Sequence, residues 1–526
     1  MQEKQICRKY HQARWVEPLI MEKSSCGERG IMVPRPGDKE KSIAGDVKNL
    51  IPSGMERKNP PCLPSLSQMQ ILRHYLRLSQ ETIGADLTID IGQGTCTMKY
   101  SPKVHETLVR LPEVAALHPY QPEETIQGIL KIFYDTTEFL KEISGMDYFS
   151  LQPSSGSQAI YGAVSIMRAY HRYRGEEKQR SQIITTMLSH PGNPGCAATA
   201  GFNVINLYPG EDGLPDLDEF RKIVSEQTAG LLITNPEDSG LFNHRIREFV
   251  DLVHAAGGLC FYDQANLNGL FGITRAREAN FDMCHFNLHK TFSSPHGSHG
   301  PGAGALGVRH FLADYLPLPV VEKNEEGYKL NYDRPLSIGK LRKFYGVAPV
   351  VVRAYAYIRM LGSEGLKQIS ELSILNNNYM LAQMADIPGL SLPWAQGVRR
   401  FEQARLSWEE LTRDTGVTTD DINRRILDYG LQTYFTSHHP RLIKEPFTPE
   451  PVETYSKEDI DRYVEVFRTV AREAYDNPEL AKTAPHCAAM NSQIDESFLN
   501  DINKFACTWR SFKKHVAPRL CADEGG

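Results

Sequence analysis

The tightest constraint on this chain is the stretch from Asp263 to Gly304, where an acid, a lysine and a glycine-rich loop follow one another across two apolar runs. Leu259-Cys260-Phe261-Tyr262 reads as a buried strand, which sets Asp263 at a strand's C-terminal end. A second run, Phe281 to Phe286, leads into the turn Asn287-Leu288-His289-Lys290-Thr291-Phe292. Pro295-His296-Gly297 and Gly300-Pro301-Gly302-Ala303-Gly304 come next. Open α/β sheets bind ligands beyond the carboxyl ends of their strands, so the acid and the lysine are expected in one crevice. That pairing suits pyridoxal 5'-phosphate (PLP). An amine forms a Schiff base with its aldehyde, and a carboxylate keeps its pyridinium nitrogen protonated. Lys290 is then the Schiff-base lysine and Asp263 the pyridinium partner. Ala265, Asn287 and His289 are further cofactor contacts, the last two as polar groups able to reach the phosphate. A His-Lys pair alone would read as a surface turn. The order strand, acid, strand, lysine, glycine loop gives it weight.

The preceding segment supplies the rest of such a site. Tyr148 to Gln152 reads as a first strand, followed by Pro153-Ser154-Ser155-Gly156-Ser157 and a helix from about 158 to 174. A small, hydroxyl-rich turn at a helix N-terminus offers free N–H donors to an anion, so Ser155, Gly156 and Ser157 are assigned to the phosphate. Strands follow at Gln182–Thr186, Val204–Leu207 and Leu231–Thr234. A helix from about 245 to 256 stops at Gly257-Gly258. Alternation of strand and helix from 148 to 290 predicts a mainly parallel sheet with helices on both faces.

Composition bounds the alternatives. A chain of 526 residues is long enough for two or more domains, each with its own core. A net charge of −5 gives no electrostatic case for nucleic acid or an anionic membrane. No apolar run approaches the ~18 residues of a membrane span. Ten cysteines without paired spacing point to reduced thiols and a cytoplasmic location. Residues 1–62 are polar and without periodicity, and read as an arm or a strap.

Several motifs carry a family resemblance. The PLP stretch, Asn287 to Phe292 with Pro295-His296-Gly297, resembles the P-proteins of the glycine cleavage system in their lysine-bearing subunit 2 form. So do Arg73-His74-Tyr75, the rare hexapeptide Thr95-Cys96-Thr97-Met98-Lys99-Tyr100, Tyr332-Asp333-Arg334-Pro335, Arg342 and Phe344-Tyr345-Gly346. The match spans about 63 to 490. The resemblance implies PLP fold type I, aspartate aminotransferase-like, with a smaller C-terminal α+β domain. The implied division is a helical segment at 63–145, a large PLP domain at 146–345, and the small domain with its tail at 346–526. It implies that His190 stacks on the cofactor ring, and that Lys99, Tyr100 and Arg342 lie near substrate. Lys290 and a histidine (His190, His296 or His289) would move protons. The implied reaction is decarboxylation of glycine with aminomethyl transfer to the lipoyl group of the H-protein, in a homodimer or beside a subunit 1.

Some positions depart from the family. Its run of four glycines after Pro-His reads Gly297-Ser298-His299-Gly300, so Ser298 and His299 would line a substrate pocket. Its Met-His-Glu-Phe reads Arg400-Phe401-Glu402-Gln403, and its Pro-Leu before Gly-Ser-Cys reads Gly92-Gln93. These departures leave open a diverged decarboxylase, lyase or aminotransferase for another amino acid.

Overall fold

A computed structural model describes residues 11–59, 61, 63–84, 86–96, 99–296, 300–438, 442–488, 493 and 509–515. They form two compact units. One is Gly84–Lys482; the other joins residues 11–83 to those described after 482.

The first unit is built on a seven-stranded sheet: β1 (Tyr148–Ser150), β2 (Gln182–Thr186), β3 (Asn203–Leu207), β4 (Thr228–Thr234), β5 (Leu259–Asp263), β6 (Met283–Asn287) and β7 (Gly304–Val308). Their spatial order is β1-β7-β6-β5-β4-β2-β3. β3, β2, β4, β5 and β6 are mutually parallel, while β7 runs antiparallel to both β6 and β1. The mainly parallel sheet is as the alternation predicts. Helices Gly192–Thr199, Leu217–Ile223 and Ile246–Ala255 connect β2 through β5 in turn.

β5, β6 and β7 are buried at every position because both sheet faces are covered there, and side chains alternate between two cores, while the edge strand β3 is exposed at Asn203 and Asn206. Cys260 and Tyr262 of β5, with Cys284 and Phe286 of β6, enter one core. Leu259, Phe261 and Met283 enter the other. Fully buried sheet of this kind has its backbone polar groups consumed by the ladder, so chemistry is left to the strand ends.

A helix over Ala348–Met384 leads out of the large lobe, broken at Gly362, where φ is 65°. Glu123–Thr125 forms a separate 3₁₀ turn, and the α-helix proper runs Gln127–Ser144 without acids in its first turn. The C-terminal lobe has its own core, where Trp408 stacks on Phe447 at 5.6 Å and lies parallel to Phe467 at 6.1 Å. Two short strands, Leu406–Ser407 and Pro446–Phe447, pair antiparallel there. The segment leading into them, 400–405, runs against the turn after β4: Phe401 N–H donates to Gly240 O at 2.8 Å.

In the second unit, the helix Gln68–Gln80 opens with a capping box between Ser67 and Gln70. Buried Glu17 accepts from Arg77 at 3.1 Å and sits 2.8 Å from His74 Nδ1. No helix among the described residues is long and apolar enough to cross a membrane.

Gly240 has φ +71°, and a Cβ there would lie 1.8 Å from the Gln403 carbonyl oxygen. Gly339 also has positive φ, +82°, with open space around it. Gly339→Ala is therefore expected to cost about 1–2 kcal/mol, the left-handed penalty alone. Gly240→Ala is expected to cost well beyond that, since backbone must move. Urea midpoints of the two variants provide the comparison.

Candidate active site

β2, β4, β5 and β6 are parallel neighbours, so their carboxyl ends fall along one edge of the sheet. The strand order reverses between β2 and β4, which is where such sheets open a crevice. A small cavity at this edge is lined by His190 after β2, Asn235 and Asp238 after β4, Asp263 at the end of β5 and Lys290 after β6. Ala265, Asn266, Glu402 and His438 also line it. The acid and the lysine thus share one enclosure.

Local bonding fixes each group. Asp263 is buried; its Oδ1 accepts from Ala265 N–H at 3.1 Å and its Oδ2 from Asn193 Nδ2 at 3.0 Å. His285 lies 3.5 Å from the same carboxylate and stacks on Phe261 with rings 7° apart. The turn carrying Lys290 closes through Lys290 N–H to Asn287 O at 3.0 Å, and is tied to the neighbouring loop by Leu267 N–H to Thr291 Oγ1 at 2.8 Å. Lys290 itself is buried.

The helix Gly156–Tyr173 starts at the same edge. Ser155 Oγ accepts from Gln158 N–H at 3.1 Å, while Gln158 Oε1 accepts from Ser154 N–H at 2.7 Å. The remaining N–H groups of the first turn have no partner within the helix. A Cβ on Gly156 would fall 2.7 Å from Asn287 Oδ1, so only glycine lets that amide approach. Asn287 Oδ1 is buried with no hydrogen-bond partner. Ser157, on the outer side of the turn, is exposed.

Burial and charge set the protonation of the histidines. His190 is pushed down to about 4, first by burial and then by the Lys290 charge. Its Nδ1 accepts from Gly192 N–H at 2.9 Å, which leaves the single ring proton on Nε2. His289 is pushed down to about 3 by burial, Lys290 and His296. Its Nδ1 sits 3.2 Å from Ala303 O, and its ring 4.3 Å from that of His296. At neutral pH both rings are uncharged, suited to packing and hydrogen bonding more than to donating protons.

Other residues singled out in the sequence lie elsewhere. The Lys99 amine is buried against Glu453, 2.8 Å from each carboxylate oxygen, and is 3.5 Å from Tyr357 Oη. Tyr100 is an exposed side chain whose carbonyl accepts from Ser293 Oγ at 2.5 Å. Arg342 Nε donates to Lys343 O at 3.2 Å, away from the cavity lining. Ser298 and His299 lie outside the described residues. In their place the cavity gains groups that sequence reading passed over. Asp238 follows the end of β4 and pairs with Arg405 at 2.5 Å, so the strand-end rule would have found it. Glu402 and His438 arrive from the C-terminal lobe and carry no local signal. Cys96, from the rare hexapeptide, is pushed down to about 7 by the Lys290 charge and a His438 hydrogen bond, against burial.

Comparison with known proteins places this arrangement. The family model described as glycine dehydrogenase, C-terminal domain, matches residues 369–487. A probable glycine dehydrogenase (decarboxylating) subunit 2 from Pyrococcus abyssi is 44% identical over 507 residues, 96% of this chain and 98% of that protein. The chain belongs to the glycine dehydrogenase (decarboxylating) subunit 2 family. A bacterial member of this subunit 2 family, from Halalkalibacterium halodurans, is 41% identical over 91% of this chain and 96% of its own length. Among solved structures, a glycine decarboxylase (P-protein) of the glycine cleavage system superposes with a TM-score of 0.68 at 18% identity, over 84% of this chain and all of that one. A sphingosine-1-phosphate lyase from Burkholderia pseudomallei gives 0.58 at 14%, over 82% and 95%. At such identities the superpositions speak for the fold, which is PLP fold type I.

Histidine resonances test the electrostatics. His190 is expected to titrate near 4 and His289 near 3, both below the ordinary value of 6.5. In Lys290→Met both midpoints are expected to rise, by less than burial alone holds them down. A His190 midpoint at or above 6.5 would contradict the buried environment described.

Proposed function

We propose that this chain is the lysine-bearing, catalytic subunit of a PLP-dependent glycine decarboxylase. The observation that carries the reading is the enclosure of Lys290 and Asp263 at adjacent strand ends in a chain of this family. The residues fit the cofactor. Lys290 supplies an amine for covalent attachment, and Asp263 a fixed carboxylate for the pyridine nitrogen. The helix start at Gly156, whose first-turn N–H groups have no partner within the helix, supplies an anion seat for the phosphate beside the Asn287 side chain. PLP, when bound, supplies the electron sink that lets a carboxylate leave as CO2.

The chain's own residues do the rest. Ala265 N–H and Asn193 Nδ2 hold the Asp263 carboxylate in place, where it would serve a pyridine nitrogen as a charge-assisted acceptor. His190, uncharged, offers a flat ring to stack on, and its Nδ1 bond to Gly192 fixes that ring's orientation. Lys290, buried in the same cavity as Asp263, would hold or release a proton at Nζ. Burial of Lys290, Asp263 and Asn287 keeps water from the developing charge. Glycine is the substrate, and the aminomethyl group left after CO2 release passes to the lipoyl arm of an H-protein. The subunit 2 names of the relatives support a subunit 1 partner, and the reduced cysteines suit the cytoplasm.

Two experiments test this. Borohydride treatment of the PLP-loaded protein is expected to leave a pyridoxyl group on the Lys290 peptide, and label on another lysine would overturn the assignment. Exchange of labelled CO2 into the glycine carboxyl is then measured with subunit 1 and H-protein present. It is expected to fall by about 10³-fold or more in Lys290→Ala, the scale of losing a nucleophile, and substantially in Asp263→Asn. Turnover of a larger amino acid in place of glycine would favour the diverged reading.

A further inference from the structure

Two buried carboxyls beside the site have no role in the chemistry above. Glu402 and Glu450 are 3% and 0% exposed, and among the described residues neither forms an ion pair. They come from neighbouring segments of the C-terminal lobe: Ala404 N–H donates to Pro449 O at 3.4 Å, in continuation of the strands Leu406–Ser407 and Pro446–Phe447. Both reach the loop after β5 at adjacent positions. Glu450 Oε1 accepts from Asn266 Nδ2 and Asn268 Nδ2, each at 2.7 Å. Glu402 Oε2 packs against Gly269, where a Cβ would come within 2.1 Å of it. The second oxygen of Glu450 and Oε2 of Glu402 are buried without a hydrogen-bond partner.

Two carboxyls set against adjacent positions of one loop, both shut off from solvent, cannot both be ionised at neutral pH, because each charge lacks solvent and repels the other. The two amide N–H bonds converging on a single oxygen of Glu450, with the Lys290 charge near it, favour keeping one charge on the pair. We propose that Glu402 and Glu450 share a single proton and act together as one negative countercharge to Lys290. The coupling to Lys290 is direct in space and through the backbone. Glu402 lines the cavity that holds the lysine, and Asn266, which grips Glu450, lines it too. Asn266 Oδ1 also accepts from Thr291 Oγ1 at 3.5 Å, next to Lys290 in the chain. Burial pushes both carboxyls up, Glu402 to about 7, while the Lys290 charge draws Glu450 down.

The other ionisable groups near the pair are Asp238, already paired with Arg405, Tyr262 of β5, whose hydroxyl donates to Asn235 O at 2.5 Å, and His190, Asp263 and His438, which line the same cavity as Glu402. Burial and the Lys290 charge hold His190 neutral. Glu402 and Glu450 are positioning residues: they act on Lys290 through their shared charge.

The test uses cofactor-free full-length protein, so its outcome stands apart from whether PLP binds. Infrared difference spectra with ¹³C-glutamate compare wild type with Glu402→Gln, Glu450→Gln and the double variant at pH 7. The expected result is one protonated-carboxyl band, lost in each single variant, with no further loss in the double. A band lost only in part in the singles and wholly in the double means two protons. No difference means both are ionised. Either would overturn the proposal. The second readout is the rate of amine labelling at Lys290 near neutral pH. Replacing both acids is expected to raise it about tenfold, the scale of losing one nearby countercharge. An unchanged rate would mean the pair is structural only. The wild-type spectrum, titrated with pH, decides the proton count should the double variant fail to fold.

Discussion

Everything at this site follows from seating an amine, Lys290, where water does not reach. Charge in a low-dielectric place must be answered locally or extinguished. The histidines nearest Lys290 are held neutral, and a cysteine thiol beside it is drawn toward ionisation. Asp263 is pinned by two N–H donors, and Asp238 is matched to Arg405. Carboxyls without such a match, Glu237 and Glu402, are pushed up by burial to about 8 and about 7. The pattern is that of a site tuned by placement of charge, as enzymes that stabilise carbanions require.

The scaffold makes that placement possible by close approach at a few bare positions. Gly156 admits the Asn287 amide to a helix N-terminus, Gly240 admits the backbone of the C-terminal lobe to the β4 turn, and Gly269 admits Glu402 to the β5 loop. Each is a point where a methyl group would force apart two elements that meet only in the folded chain. The sheet holds the strand ends in register, and the C-terminal lobe closes the site from above with acids of its own.

Much of this was legible in the amino acids. Apolar runs ending in Asp263 and in the Lys290 turn give the strands and the crevice, because a parallel sheet buries both faces and leaves chemistry to its ends. The Ser-Ser-Gly-Ser turn gives the helix start for a like reason: its N–H groups need a partner whatever the rest of the chain does. The position of Lys99 was not legible. A lysine in a motif that travels with the site looks available, yet its amine is consumed by Glu453, which lies more than three hundred residues along the chain.

The sequence by itself determined the periodicity of the large lobe, the order of acid and lysine, and the turn that opens the helix at Gly156. These are local facts: side-chain alternation, strand ends and unpaired first-turn N–H groups depend on near neighbours. Only the tertiary structure decided which groups surround Lys290. Glu402, His438 and Glu450 reach it from segments far apart in the chain, and nothing in their own surroundings marks them. The protonation of His190 and His289 was likewise a tertiary matter, because desolvation and the field of a buried amine are properties of the packed enclosure and not of any stretch of residues.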